Sequence, residues 1–156
     1  MNMKRIVVIL LCLISLESMA QNYIHVGPAV APMSAWGAEA LGDFKVASLA
    51  PKLSLGLGAM AFASTSKTHD EPTPGLRVYR FYAAPQVSLR YAFSDRFDCY
   101  LRGGAGWGGN KKEGSGITHT FLGNAAVGAG LSVGSNFGFY LEAGLPFSSL
   151  GVRFSL

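Results

Sequence analysis

Residues 77–93 change character at every position. Tyr79, Phe81, Ala83, Pro85, Val87, Leu89, Tyr91 and Phe93 fall on one side, without a single charge. Val78, Arg80, Tyr82, Ala84, Gln86, Ser88, Arg90 and Ala92 fall on the other, which carries Arg80 and Arg90, while Arg77 stands at the strand end. A β-strand sends successive side chains to opposite faces, so this alternation reads as one two-faced strand. It is far longer than the usual strand of about 5–6 residues. It is also longer than the roughly 9–11 tilted residues that cross the hydrocarbon of a bilayer. A chain built on such strands has one greasy and one polar sheet face, and the fold must hide one of them.

The N-terminus reads as a separate unit. Lys4 and Arg5 precede a short apolar stretch, residues 6–14, well under the roughly 20 apolar residues a spanning helix needs. Ser18-Met19-Ala20 then fits a small-x-small cleavage site. The expectation is a cleaved signal peptide over residues 1–20 and one exported domain over residues 21–156. Cys12 follows Ile9-Leu10-Leu11 rather than the small residue that a lipidation site wants. Cys99 is then the one cysteine of the exported chain, so no internal disulfide is available, and its place on the apolar face suggests inert packing. The net charge of +4 carries no basic run longer than two residues, which gives no support to nucleic-acid binding.

Eight strands are expected, over residues 22–32, 37–47, 52–64, 77–93, 97–108, 118–134, 137–146 and 149–156. Two polar segments, 65–76 (TSKTHDEPTPGL) and 109–117 (GNKKEGSGI), read as long loops. Met33–Trp36, Ser48–Pro51, Ser94-Asp95-Arg96 and Ser135-Asn136 read as turns. Short turns on one rim and longer loops on the other are the habit of membrane barrels. Prolines are awkward inside such a sheet, because each removes a ladder hydrogen bond. Pro85 in particular is expected to mark a bulge.

The charges sort by position. Lys67, Asp70, Glu71, Arg77, Asp95, Arg96, Lys111, Lys112 and Glu113 fall in the connections or at a strand end. Glu39, Asp43, Lys45, Lys52, Arg80, Arg90, Asp98, Arg102, Glu142 and Arg153 fall within strands. In each strand these share parity with glycine, alanine and polar residues. Strand five sets Phe97, Cys99, Leu101, Ala105 and Trp107 against Asp98, Tyr100, Arg102, Gly104 and Gly106. In a soluble barrel the apolar face points inward; in a membrane barrel it meets lipid and the charges line the lumen. Glycine and alanine riding with the charges leave room for long side chains inside. Aromatics at strand ends on the apolar face (Phe81, Phe93, Phe97, Trp107, Phe137) suit interfacial girdles. Both features favour the membrane orientation: an all-β, up-and-down antiparallel transmembrane barrel of eight strands.

The export signal, the eight alternating strands, the Ser94-Asp95-Arg96 hinge and the closing Gly151-Val152-Arg153-Phe154-Ser155-Leu156 resemble the small outer-membrane β-barrel proteins, similar to outer membrane proteins A and X. The resemblance implies an outer-membrane β-barrel domain over residues 21–156, contact with outer-membrane lipid, and insertion by the barrel-insertion machinery. Such barrels commonly end in an aromatic residue; this chain ends in Leu156, with Phe154 two residues earlier on the same face.

A barrel of eight strands is filled by its own side chains. Unpaired charges in a narrow lumen are costly, so the ten strand charges are expected to pair with one another as a structural plug. The histidines give no catalytic pattern. His119-Thr120-Phe121-Leu122-Gly123-Asn124 lacks the serine and spacing of the His-x-Ser-Asn arrangement of a barrel lipid A deacylase. His69 lies in a charged loop, and His25 has no nameable partner. No two ligands have metal-site spacing, and no cofactor is expected. The resulting expectation is a non-enzymatic outer-membrane protein, contributing to envelope structure or to surface interaction through its loops. The alternatives are a lipid-modifying barrel enzyme and a soluble exported barrel that binds an apolar ligand.

Overall fold

The structure, a computed structural model, describes residues 22–31, 35–67 and 76–156. The signal-peptide reading of residues 1–20, His69, and the acids Asp70 and Glu71 lie outside the described residues. Eight strands follow in order: β1 Tyr23–Ala31, β2 Ala35–Ala50, β3 Leu53–Lys67, β4 Arg77–Ala92, β5 Phe97–Lys112, β6 Ile117–Ser132, β7 Phe137–Leu145 and β8 Ser148–Ser155. Each pairs antiparallel with the next, and β8 pairs back onto β1, so the sheet closes into an up-and-down barrel. With an even number of strands, the start of β1 and the end of β8 fall on one rim, here called the terminal rim. This terminal rim also carries the Pro51-Lys52 turn and the connections 93–96 and 133–136. The distal rim carries the connection 113–116 and the Pro146-Phe147 turn.

The barrel turns its greasy face outward. Val87, Leu101, Val127 and Leu141 are exposed on the wall, while Arg90, Arg102, Glu142 and Arg153 are buried. Inward and outward residues alternate along β4 from Val78 to Arg90 without a slip. Outward aromatics stand near both rims: Trp36, Tyr79, Phe81, Trp107 and Phe121 distally, and Tyr91, Phe93, Phe97, Phe137 and Phe154 at the terminal end. From Phe81 to Tyr91, at about 3.4 Å per residue and a tilt of about 40°, the wall between the belts is about 25 Å tall, matching the apolar band of membrane barrels. Water would not tolerate that wall, so the membrane orientation is the one this chain adopts. Among the described residues no helix is long and apolar enough to cross a membrane, and the crossing is made by strands.

Three expectations are corrected by the ladders. Pro85 makes no bulge: β4 stays in register with β3 through Ala59↔Pro85. On the other side the β4–β5 ladder lapses between Ala83↔Trp107 and Gln86↔Gly104 and resumes in the same register. The missing N–H is absorbed by omitting pairs, as it is at Pro28, where the β1–β8 ladder lapses between Val26↔Val152 and Ala29↔Ser149. The bulges lie in β2 instead, at Lys45/Ala47 and Ser48/Ala50. Next, 109–117 is not a nine-residue loop. β5 and β6 stay paired up to Lys111↔Ile117, leaving only 113–116 as the turn, with Gly114 at φ 79°. Polar side chains do not end a strand whose backbone bonds are made by its neighbour. Finally, Ala35 and Trp36 belong to β2, and Thr65–Lys67 to β3.

The strands also differ in height around the barrel. The β3–β4 ladder runs from Leu53↔Tyr91 to Lys67↔Arg77. The β7–β8 ladder runs only from Phe137↔Phe154 to Glu142↔Ser149. β6 pairs with β7 no further than Ala125↔Leu145, so in its distal stretch, residues 117–124, its only ladder is with β5.

Candidate functional site

The lumen is filled in three levels. Nearest the terminal rim, Arg90 reaches Asp43 at 2.8 Å and also grips Asp98. Arg153 holds the other oxygen of Asp98 and donates to Ser132 Oγ at 2.8 Å. Ser88 Oγ donates to Asp43 at 2.7 Å. The Tyr23 ring lies under both guanidiniums, 4.3 Å from that of Arg90 and 4.7 Å from that of Arg153. These residues come from β1, β2, β4, β5, β6 and β8, so one polar layer ties most of the wall together.

At mid-height Arg102 is the hub. It donates to Glu39 at 3.0 Å, to both oxygens of Glu142, and to Gln86 Oε1 at 3.1 Å. Gln86 passes the chain on to Asn124 at 3.1 Å, and Ser149 Oγ donates to Glu39 at 3.2 Å. The planar fork of arginine suits this bridging of two carboxylates in a way a lysine ammonium does not. His25 is wholly buried between these levels. Its ring centroid lies 4.6 Å from Tyr140, 5.7 Å from Tyr100 and 6.1 Å from Tyr23. The partner that sequence reading could not name for His25 is thus a set of aromatic rings drawn from three strands.

The distal level is apolar. Phe147, carried in by the β7–β8 turn, stacks on Phe62 at 4.6 Å and Tyr82 at 5.1 Å. Tyr82 donates its hydroxyl to the Leu122 carbonyl at 3.1 Å. Above these rings lies an open cavity of about 230 Å³, with Arg80 and Thr120 at its edge. Arg80 donates to Ser66 Oγ at 2.6 Å.

Of the ten strand charges, Glu39, Asp43, Arg90, Asp98, Arg102, Glu142 and Arg153 are buried together in the lumen. Lys45 and Arg80 are half-buried at opposite rims, and Lys52 is exposed in the Pro51-Lys52 turn. Arg90, Arg102 and Arg153 share the four carboxylates inside. Small residues make the room: a Cβ on Gly130 would collide with the Arg153 guanidinium, and one on Gly128 with the Tyr100 ring. Met60 was missed in the sequence, because a thioether gives no polar signal; its sulfur lies 3.0 Å from Arg102 Nη1. His119 is exposed on the outer face of β6, opposite Gly109. Cys99 is free and half-buried on the same outer face. Among the described residues no group of three or more potential ligands could hold a metal.

No protein-family model matches this chain, and no curated protein matches it significantly. Solved structures do share its fold. Ail, the attachment invasion locus protein of Yersinia pestis, crystallised with the heparin analogue sucrose octasulfate, is 11% identical over 88% of this chain and 99% of that one, with a TM-score of 0.62. A second crystal structure of Ail is 9% identical over 88% and 97%, with a TM-score of 0.54. Neisserial surface protein A is 12% identical over 88% and 96%, with a looser TM-score of 0.45. A closed antiparallel barrel of eight strands, charges inside and apolar side chains outside, is the fold of the small outer-membrane β-barrels, and it is the fold of this chain.

Proposed function

We propose that this chain is a non-enzymatic outer-membrane protein, exported by a cleaved signal peptide over residues 1–20, with a charge-paired plug for a lumen. Its wall takes up outer-membrane lipid, and the barrel-insertion machinery delivers it, with Phe154 as the aromatic near the C-terminus. Its interaction surface is the distal rim, which engages anionic groups at the level of the lipid headgroups.

The observation that carries this reading is a register. Lys67 stands directly opposite Arg77, and Lys111 directly opposite Tyr79. All three basic side chains are exposed on the outer face, Lys111 level with Tyr79 of the aromatic belt and Lys67 and Arg77 one step beyond it. Like charges placed opposite one another on a sheet are destabilising. A phosphate or sulfate lying across the row offsets that cost. The sulfated ligand held by Ail supplies a probe. The barrel in lipid nanodiscs should bind sucrose octasulfate in a salt-sensitive way, and the triple variant K67Q/R77Q/K111Q should lose most of that binding. Equal binding by the triple variant would remove the rim from the proposal. The plug is tested separately in planar bilayers: steady, ion-selective conductance through the purified protein would contradict it, since barrels this small are filled by side chains.

A further inference from the structure

The cavity above Phe62, Tyr82 and Phe147 is not used by the plug. It is a dead end: below the three rings the lumen is closed by the Arg102–Glu39–Glu142 network. Its floor is aromatic, Leu122 contributes a further apolar wall, and Arg80 lies at its edge. Among the described residues no carboxylate lies within ion-pair distance of Arg80, and one of its five N–H donors goes to Ser66. The site therefore presents a greasy pocket with a cationic mouth.

Its opening has a direction. Leu122 and Thr120 line the cavity and lie on the stretch of β6 that has no β7 partner. β7 stops at Leu145 and β8 begins at Ser148, so the wall is low on that side. Phe121, between those two lining residues, faces outward and packs against Trp107 of the distal aromatic belt, with ring centroids 5.0 Å apart. The gap thus opens at the membrane interface rather than only upward into water.

The geometry points to a binding site for a single medium-length acyl chain with an anionic head, its tail on the Phe62–Tyr82–Phe147 floor and its carboxylate or phosphate at Arg80. Size supports one chain rather than several. The cavity of about 230 Å³ has room for roughly eight waters at about 30 Å³ each, or a similar number of methylenes. It falls below the range of about 300–1,000 Å³ typical of pockets for larger ligands. The chain could come from a free fatty acid or from a lipid of the surrounding leaflet, and both share this chemistry.

Calorimetric titration of decanoate into nanodisc-embedded protein tests it, with protein-free discs as the blank; detergent micelles are avoided because detergent monomers would compete. Saturable binding of one decanoate per barrel is expected, with at least a tenfold loss in R80Q. Binding should be abolished in L122W, which fills the cavity. T120W, at the exposed mouth, gives the same readout should L122W fail to fold, and heat-dependent gel mobility reports folding for each variant. Decyltrimethylammonium should not bind saturably. Discs preloaded with an anionic lysophospholipid separate the sources: blocked decanoate binding indicates lipid entry through the β6 gap, and unchanged binding indicates a free acid. The inference is overturned if heats match the blank, if the cationic amphiphile binds equally well, or if folded L122W and T120W bind as the parent does. The rim triple variant leaves decanoate binding unchanged, so failure of the rim proposal and failure of this one are separable.

Discussion

The two ends of the lumen solve the same packing problem in opposite ways. The terminal and middle levels are filled by three arginines and four carboxylates, whereas the distal level is filled by Phe62, Tyr82 and Phe147. The polar end lies where every strand has two neighbours, and the apolar end where β7 and β8 have run out. A buried ion network needs a complete wall, because a charge exposed to lipid through a gap would lose its partners' geometry without gaining water. Aromatic rings tolerate an incomplete wall. The comparison teaches that rigidity is concentrated at the terminal end and access at the distal one.

The sharpest way to break that comparison is R102A. It leaves Glu39 and Glu142 buried without their counter-ion, and breaking a buried pair typically costs about 3–5 kcal/mol. Urea unfolding in lipid vesicles measures this, and the double variant R102M/E142Q should recover part of the loss, because Glu39 alone is then left without its counter-ion. A smaller cost for R102A than for any distal substitution would invert the assignment of rigidity. F147A comes next. Deleting a buried phenyl ring costs about 3–5 kcal/mol, with the low end expected because the cavity above it is already open. If F147A is as severe as R102A, the distal end is a structural core rather than a cup. S132A removes one acceptor from the Arg153 guanidinium. A hydrogen bond to a charged group contributes about 1.5–3 kcal/mol, and the low end is expected because Asp98 still holds Arg153. The smallest effect belongs to K111Q on the exposed distal rim, within about 0.5 kcal/mol of the parent in stability. There the informative readout is binding of sucrose octasulfate, which should fall while the unfolding midpoint stays put.

How much of this was legible beforehand can be traced through particular residues. The outward row from Tyr79 to Phe93 was legible because side-chain parity is a local property of the extended backbone. The turns near Ser94 and Ser135 were legible from turn chemistry to within two residues. Pro85 was misread because proline's effect depends on which neighbour its missing N–H faces, and that is a question of pairing. The 109–117 segment was misread because Lys111 and Lys112 look like loop residues until β4 and β6 are seen on either side of them. For the lumen charges, parity could not separate Lys52, in a turn below the β2 bulges, from Arg90 in the middle of the ion network.

By itself the sequence determined that the sheet has two chemically opposite faces and how many strands carry them, since a period of two is fixed by covalent geometry. Only the tertiary structure decided who meets whom inside. Arg102 is separated from Glu142 and Glu39 by forty and sixty-three positions. They meet because closure and register bring β2, β5 and β7 around one axis, and no local pattern encodes a stagger that the whole sheet sets together.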